Sequence, residues 1–272
     1  KSSNCTNYKV IISMKTREYL DYYKKNKIIP AVSLNEIKQN ILKQQRFSFF
    51  FKVGIVPNDF TNKEVLELCP GTGVNSLYLL KFTKIKHITL VDNNPSSINE
   101  LTKNLKNFSN KTIINKDIKK VRLKKKYDYV IIENALLGFD NPSKIFSKIY
   151  NFLKPGGCLV FTISDEIGLF SEKLRFLYSQ IIIKKNNLNK KPYNVKVKFL
   201  TKIFKSHLDK LQAKTRTPEK WVQDMMLHYH MIQKNKYFSL LDLYKIIKTK
   251  RLIIKGQSPD FSTDYQWYKK FK

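Results

Sequence analysis

The sequence predicts an α/β protein: a Rossmann-like, doubly wound and mostly parallel sheet, with helices before it and a helical insertion forming a cap after it. Three observations carry that prediction. From residue 64 onward, short apolar runs rich in β-branched residues alternate with amphipathic stretches, the pattern of parallel strands buried on both faces and joined by helices. A tight Cys-Pro-Gly-Thr-Gly turn at 69–73 separates the first apolar run from a helical pattern. Acidic residues stand at the ends of several runs, where an open α/β sheet binds its ligands.

In chain order, "MKTREYLDYYKKN" (14–26) reads as a helix, and Pro30 separates it from a second at 33–54. In that second helix Ser33 and Glu36 have capping-box spacing, and Ile37, Ile41 and Phe47 mark the apolar stripe. Gly54 and Pro57 end it. The strand candidates are "EVLELC" (64–69), "HITLVD" (87–92), "KTIINKD" (111–117), "YDYVIIEN" (127–134) and "CLVFTIS" (158–164), with helical patterns at 74–83, 95–107 and 142–153. "LKPGG" at 153–157 supplies the turn into the fifth strand. Beyond Asp165 the chain is again mostly helical, through a polar stretch at 184–198 to a helix at 237–249 and the strand-like "RLIIKG" (251–256). The expected division is an N-terminal helical cap segment (1–60), the core (61–165), a helical insertion or lid (166–250) and a terminal strand region completing the sheet (251–272). The insertion is too long for an ordinary crossover, which needs about a dozen residues.

A chain of 272 residues with 42% hydrophobic content can fill a good-sized core. Its net charge of +31, from 52 Lys+Arg against 21 Asp+Glu, would suit nucleic acid or an anionic surface. The excess is lysine, however, and Arg17, Arg46, Arg122, Arg175, Arg216 and Arg251 are the only arginines. Dedicated nucleic-acid sites favour the arginine fork, whereas lysine alongside abundant Asn and Ile is what AT-rich codon usage produces. The runs "KKVRLKKK" (119–126) and "KKNNLNKK" (184–191) lack interleaved aromatics and read as solvated loops. Cys5, Cys69 and Cys158 have no CxxC spacing, which argues against a disulfide framework or zinc site and for a reducing compartment. No apolar run approaches the roughly 18 to 20 residues of a membrane span, so a cytoplasmic protein is expected. His228 and His230, two apart, point to different helix faces, His207 fits a helix surface and His87 begins a strand, so no metal site is expected.

The tight turn suggests what the sheet holds. Gly71 and Gly73 allow unusual backbone angles and close approach of a ligand at a helix N-terminus. Asp92 ends the second strand, nineteen residues after Gly73, where a carboxylate can accept both hydroxyls of a ribose. Asp117 ends the third, within reach of an adenine edge. A dinucleotide site would want G-x-G-x-x-G, but Ser76 stands at the third position, and there is no P-loop sequence.

This set, over about residues 60–165, resembles the class I S-adenosylmethionine-dependent methyltransferases. The resemblance implies S-adenosylmethionine as cofactor, with Glu67 as the acid near its methionine amino group and Gly71 and Gly73 as the turn. Cys69 takes the place of the family's first glycine; Asp92, with Asn93 beside it, would hold the ribose and Asp117 the adenine. "LELCPGTGVNSLYLL", "TLVDNNP", "LKPGG", "RTPEKWVQD" and "SPDFSTDYQWYK" further resemble a bacterial subgroup with LE-x-GPG-x-G-x-NSLY and TLVD-x-NP motifs, loosely associated with surface-glycan and small-molecule biosynthesis.

The acceptor must lie over the carboxyl end of strand four, where Glu133 and Asn134 stand. Glu133 is the first candidate for a base or substrate anchor, with a cofactor contact or a loop-holding role as the alternative. Asp165 is the second, with helix N-capping as its alternative. Methyltransferases acting on the amino groups of bases or glutamine carry an Asn/Asp-Pro-Pro-aromatic stretch here, and "ENALLG" lacks it. The aromatic-rich "RFSFFF" (46–51) and "EKWVQDMMLHYHM" (219–231) would line a cap over a small or medium-sized acceptor. The expected activity is therefore O- or N-methylation of a small molecule or sugar. An RNA or protein methyltransferase using the lysine surface, and a non-catalytic cofactor-binding scaffold, are the alternatives.

Overall fold

The strands are β1 (Glu64–Leu68), β2 (His87–Asp92), β3 (Lys111–Asn115), β4 (Tyr127–Ile132) and β5 (Leu153–Phe161). The helices are α1 (Gln39–Lys52), α2 (Val74–Phe82), α3 (Pro95–Asn104), α4 (Pro142–Tyr150), α5 (Phe170–Lys185), α6 (Tyr193–Asp209), α7 (Pro218–Ile232) and α8 (Leu240–Lys250). This computed structural model describes residues 24–25, 28–29, 34, 38–139, 141–163, 169–210, 217–232 and 239–258. Most of the expected 14–26 helix, the capping residues Ser33 and Glu36, Asp165 and the tail from 259 lie outside the described residues.

β1 is buried along its whole length, as a central parallel strand covered on both faces must be. Every pairing in the sheet is parallel, and the order is β3-β2-β1-β4-β5. Strand order reverses between β1 and β4, and such a reversal opens a crevice beyond the carboxyl ends of those two strands. Alternation assigns the faces: Val65, Ile88, Leu90 and Ile131 join the cluster covered by α1, α2 and α3. Leu66, Leu68, Val91, Val130 and Ile132 join the one covered by α4, with Leu243 and Ile246 of α8 packed against it. Helix starts follow local chemistry. Asn94 and Asn141 accept from the backbones of Ser96 and Lys144, each with a proline at the next position, and Ser239 and Asp242 form a capping box.

α5, α6 and α7 build a third cluster of their own around Ile183, Leu200, Phe204, Val222 and Met225. α8, grouped by the sequence with that insertion, instead packs on the sheet beside α4.

Three elements differ from expectation. α1 begins at Gln39 and buries Leu42, Arg46 and Phe50, whereas the expected stripe residues Ile41 and Phe47 are 42% and 43% exposed. The helix is turned because Arg46 points inward to a carboxylate. "LKPGG" lies inside β5 as a bulge, since Tyr127 pairs with Leu153 but Tyr129 with Cys158. "RLIIKG" is no strand: Arg251 ends α8 in the left-handed region (φ 52°), and residues 252–257 are irregular. Gly256 sits so close to the end of α1 that a Cβ there would lie 2.4 Å from the Val53 carbonyl oxygen. This close approach holds the stretch against α1 by its backbone, and among the described residues β5 stays the sheet edge. The expected completion of the sheet by 251–272 is thus not made by residues 251–258.

Candidate active site

The turn after β1 carries three left-handed residues in five: Cys69 (φ 57°), Gly71 (φ 59°) and Gly73 (φ 76°). Glycine is obligatory at 73, where a Cβ would stand 2.3 Å from a methyl of Leu101, so α2 can lie close against α3. Cys69 adopts the left-handed region despite its side chain, and its N–H donates to the Val91 carbonyl at 2.8 Å. Asn104 pins the turn by donating to the Thr72 carbonyl at 2.9 Å. Among the described residues no side chain caps the N-terminus of α2, which turns its first-turn N–H groups and the positive end of its dipole toward the crevice.

Carboxylates converge on this turn. Asp92, buried at the end of β2, accepts from the Gly71 N–H at 3.1 Å and the Asn94 N–H at 2.9 Å. Burial raises its pKa, and the backbone N–H groups of Asn94, Gly71 and Asn93 oppose the rise. Asn93 beside it is half-buried. Asp117 lies two residues past the end of β3, half-buried, with one oxygen accepting from the Lys119 N–H at 2.8 Å. Burial, then the charges of Asp92, Asp117 and Glu67, push the Cys69 thiol well above its ordinary value, so all three acids bear on the turn. Glu67 is 3% exposed and accepts from the Ser76 hydroxyl at 2.5 Å. Its pKa is pushed up to about 7, by burial first and by the charges of Glu133 and Asp92, against the Ser76 hydrogen bond and the Arg46 charge.

Glu133, just past β4, is held by both oxygens. Arg46 donates to one at 2.8 Å and to the other at 2.5 Å, and the Asn75 amide lies 3.5 Å away. The guanidinium stacks over Phe49 and Phe50, 4.5 and 4.9 Å from their ring centres. Asn134, also left-handed, donates its N–H to the Thr162 hydroxyl at 2.5 Å, tying the tip of β4 to the end of β5.

The structure therefore brings Glu67, Cys69, Gly71, Gly73, Asp92, Asn93 and Glu133 to one end of the sheet, with Asp117 at its margin; Asp165 lies outside the described residues. Arg46, Asn75, Ser76 and Thr162 were not foreseen. The available signal for Arg46 was its rarity in a lysine-dominated chain and its spacing of four from both Leu42 and Phe50. Among the histidines, His87 meets the Thr112 hydroxyl at 2.9 Å and His207 packs edge-on to Trp221, both away from this site. The side chains of His228 and His230 lie outside the described ones. Among the described residues no group of three or more His, Cys, Asp or Glu could hold a metal ion, and no helix is long and apolar enough to cross a membrane.

Residues 59–241, more than half of the chain, match the family described as Methyltransferase domain. Over 147 residues the chain is 29% identical to malonyl-[acyl-carrier protein] O-methyltransferase 2 of Ilyobacter polytropus, covering 51% of this chain and 57% of that protein. Over 108 residues it is 32% identical to demethylmenaquinone methyltransferase of Leptospira interrogans, covering 38% of this chain and 43% of that protein. The chain thus spans about half the length of the curated relatives it matches. A solved structure of the N-methyltransferase NodS from Bradyrhizobium japonicum with S-adenosyl-L-homocysteine aligns at 17% identity and a TM-score of 0.43, covering 54% of this chain and 72% of that one. The family match spans the whole sheet, the glycine turn and α2 to α7, and the chain belongs to the methyltransferase domain family.

Proposed function

We propose that this methyltransferase acts on a small organic acceptor, a small molecule or sugar, at oxygen or nitrogen. The observation that carries the reading is the roof over the β4 tip. Arg46 reaches from α1 to Glu133, and Leu42 and Phe50 seat the same helix on the core. A roofed site admits a molecule of limited size and keeps water from the transfer. α7 supports the reading from the other side, since it packs against the short 3-10 turn Leu136–Gly138 that follows β4, where a lid would act. The two curated relatives are named for demethylmenaquinone and for malonyl-acyl carrier protein.

Bound S-adenosylmethionine supplies an activated methyl group, whose bond to sulfur breaks as the bond to the acceptor forms. The residues present fit this cofactor: glycines leave backbone room at the turn, and buried acids short of countercharge meet a cationic ligand. In our reading Gly71, Gly73 and Cys69 line the turn, Asp92 and Asn93 take the ribose, Asp117 faces the adenine and Glu67 meets the methionine ammonium. Both oxygens of Glu133 are committed to Arg46, so we assign it to anchoring. Asp165, which follows β5 in sequence, is our candidate for accepting a proton from a hydroxyl acceptor. We also read the chain as a member of the bacterial subgroup with the LE-x-GPG-x-G-x-NSLY motif. A cytoplasmic setting suits the free thiols Cys69 and Cys158.

Methyl-labelled cofactor offered with cellular small-molecule, RNA and protein fractions tests the acceptor class. Label is expected in the low-mass fraction at any moderate ionic strength. Label in RNA that falls steeply between low and physiological salt, as phosphate-driven binding must, or label in protein, would overturn the reading.

A further inference from the structure

We propose that Arg46 is a positioning residue for the methionine end of the cofactor: by forking Glu133 it holds that carboxylate near Glu67 and gives the two acids one shared countercharge. The proposal rests on the reading of Glu67 as the partner of the methionine ammonium.

Three observations lead to it. The first is that the pair is expensive to bury. Both side chains are 9% exposed, and Arg46 and Glu133 stand 87 positions apart in sequence. A buried ion pair is a poor means of stabilising a fold, because desolvation offsets most of the attraction. Leu42 and Phe50 give α1 an apolar anchorage of its own, so the fork orients the helix without being its sole hold.

The second is an unused donor. Nε of Arg46 is buried and has no hydrogen-bond partner among the described residues. Pairs sealed into a core satisfy their donors. The fork commits Nη1 and Nη2 and leaves Nε buried without a partner among the described residues, a cost that a pair kept only for stability would avoid.

The third is continuity. Asn75 approaches Glu133 at 3.5 Å, and its neighbour Ser76 donates to Glu67 at 2.5 Å, so the first turn of α2 spans the two carboxylates. The groups that face Glu67 are Ser76 on α2, Glu133 after β4, Arg46 on α1 and Asp92 on β2. Arg46 favours the ionised form of Glu67, whereas Glu133 and Asp92 disfavour it. Removing either member of the fork therefore moves the titration of Glu67 in opposite directions, which loss of a merely structural contact does not do.

The test is calorimetric binding of S-adenosylhomocysteine and of 5′-methylthioadenosine, which lacks the amino-acid end, to the full chain across neutral pH. In the unaltered protein the affinity for S-adenosylhomocysteine should fall as pH drops below about 7, while that for 5′-methylthioadenosine stays level. Arg46→Gln should shift the midpoint up by about one pH unit and weaken S-adenosylhomocysteine roughly fivefold at neutral pH, leaving 5′-methylthioadenosine within about twofold. Glu133→Gln should shift the midpoint down. Arg46→Lys, which keeps the charge but not the fork, should restore most of the midpoint. If Arg46→Gln does not fold, Arg46→Lys and Glu133→Gln carry the same test. Equal weakening of both ligands, or a midpoint that neither variant moves, overturns the proposal while leaving Glu67 in its role. A level profile for S-adenosylhomocysteine in the unaltered protein removes the Glu67 reading and the proposal with it.

Discussion

Glu64 and Glu67 lie on the same central strand, both buried, in opposite electrostatic company. At the amino end of β1, Lys125 reaches Glu64 at 2.6 Å and Lys86 at 3.4 Å. Burial alone would raise this carboxyl, but the two lysines outweigh it and its pKa is lowered. At the carboxyl end, Glu67 has the Ser76 hydroxyl for a partner, and burial carries it to about 7. Asp128 and Asp92 repeat the contrast. For Asp128, burial is outweighed by the Glu64 N–H and by Lys154 at 2.9 Å, and the pKa falls; Asp92 has only backbone N–H groups among the described residues, and it rises. At the amino end of the sheet, acids supplied with their own lysines belong to the scaffold. An acid left short of one, beside a glycine turn, is prepared for a ligand that brings positive charge.

The largest effect is expected from Glu67→Gln. A carboxyl raised from 4.5 to about 7 contributes stability that is fully present below about 4.5 and lost as pH rises through about 7, at most about 3 kcal/mol. The amide keeps an acceptor for Ser76 and cannot ionise. The unliganded variant should therefore melt roughly 5 °C higher at about pH 8, nearly unchanged at about pH 5, and bind S-adenosylhomocysteine about tenfold more weakly. Scanning calorimetry at the two pH values reads the first part. Equal shifts at both would place Glu67 with the scaffold acids.

Asp92→Ala should come next, weakening S-adenosylhomocysteine by about one to two orders of magnitude through lost charge-assisted hydrogen bonds. Titration calorimetry measures it, and unchanged affinity would break the contrast at the β2 end. The smallest effect belongs to Glu64→Gln. Its lysines are 49% and 61% exposed, so solvent screens the pairs and the loss at neutral pH should be about 1 kcal/mol in urea unfolding. Affinity for the cofactor product should not move. The contribution of Glu64 is present above 4.5 and disappears as pH falls through its lowered folded value, so variant and unaltered protein should converge in acid.

The strands and the glycine turn were legible because their causes are local. Runs such as "VLEL" and "ITLV" suit strands buried on both faces, and a backbone that must turn left-handed asks for glycine. Asp92 was legible because it closes such a run. Arg46 was not, because an apolar-stripe argument sends Ile41 and Phe47 inward, and the helix is turned by a carboxylate 87 positions away. "RLIIKG" has the composition of a strand, but the close approach of Gly256 to Val53 decides its path. "LKPGG" announced a turn, and only the pairing with β4 shows that the turn is a bulge within β5. What was missed depends on partners distant in the chain.

The separate cluster of α5, α6 and α7 sets an order of assembly in time. β1 must find β4 across a long loop, and the contact of the Glu64 N–H with the Asp128 carboxylate closes 64 positions. The three helices are consecutive and bury their aromatic and aliphatic faces on one another, with Phe204 against both Tyr178 and Trp221. Contacts between near neighbours form quickly and distant parallel pairings slowly. During synthesis the glycine turn emerges early, but the crevice between β1 and β4 is complete only once β4 has left the ribosome, whereas the helical triplet can close on itself once its own last helix is made. The three helices thus carry a core that the sheet does not share.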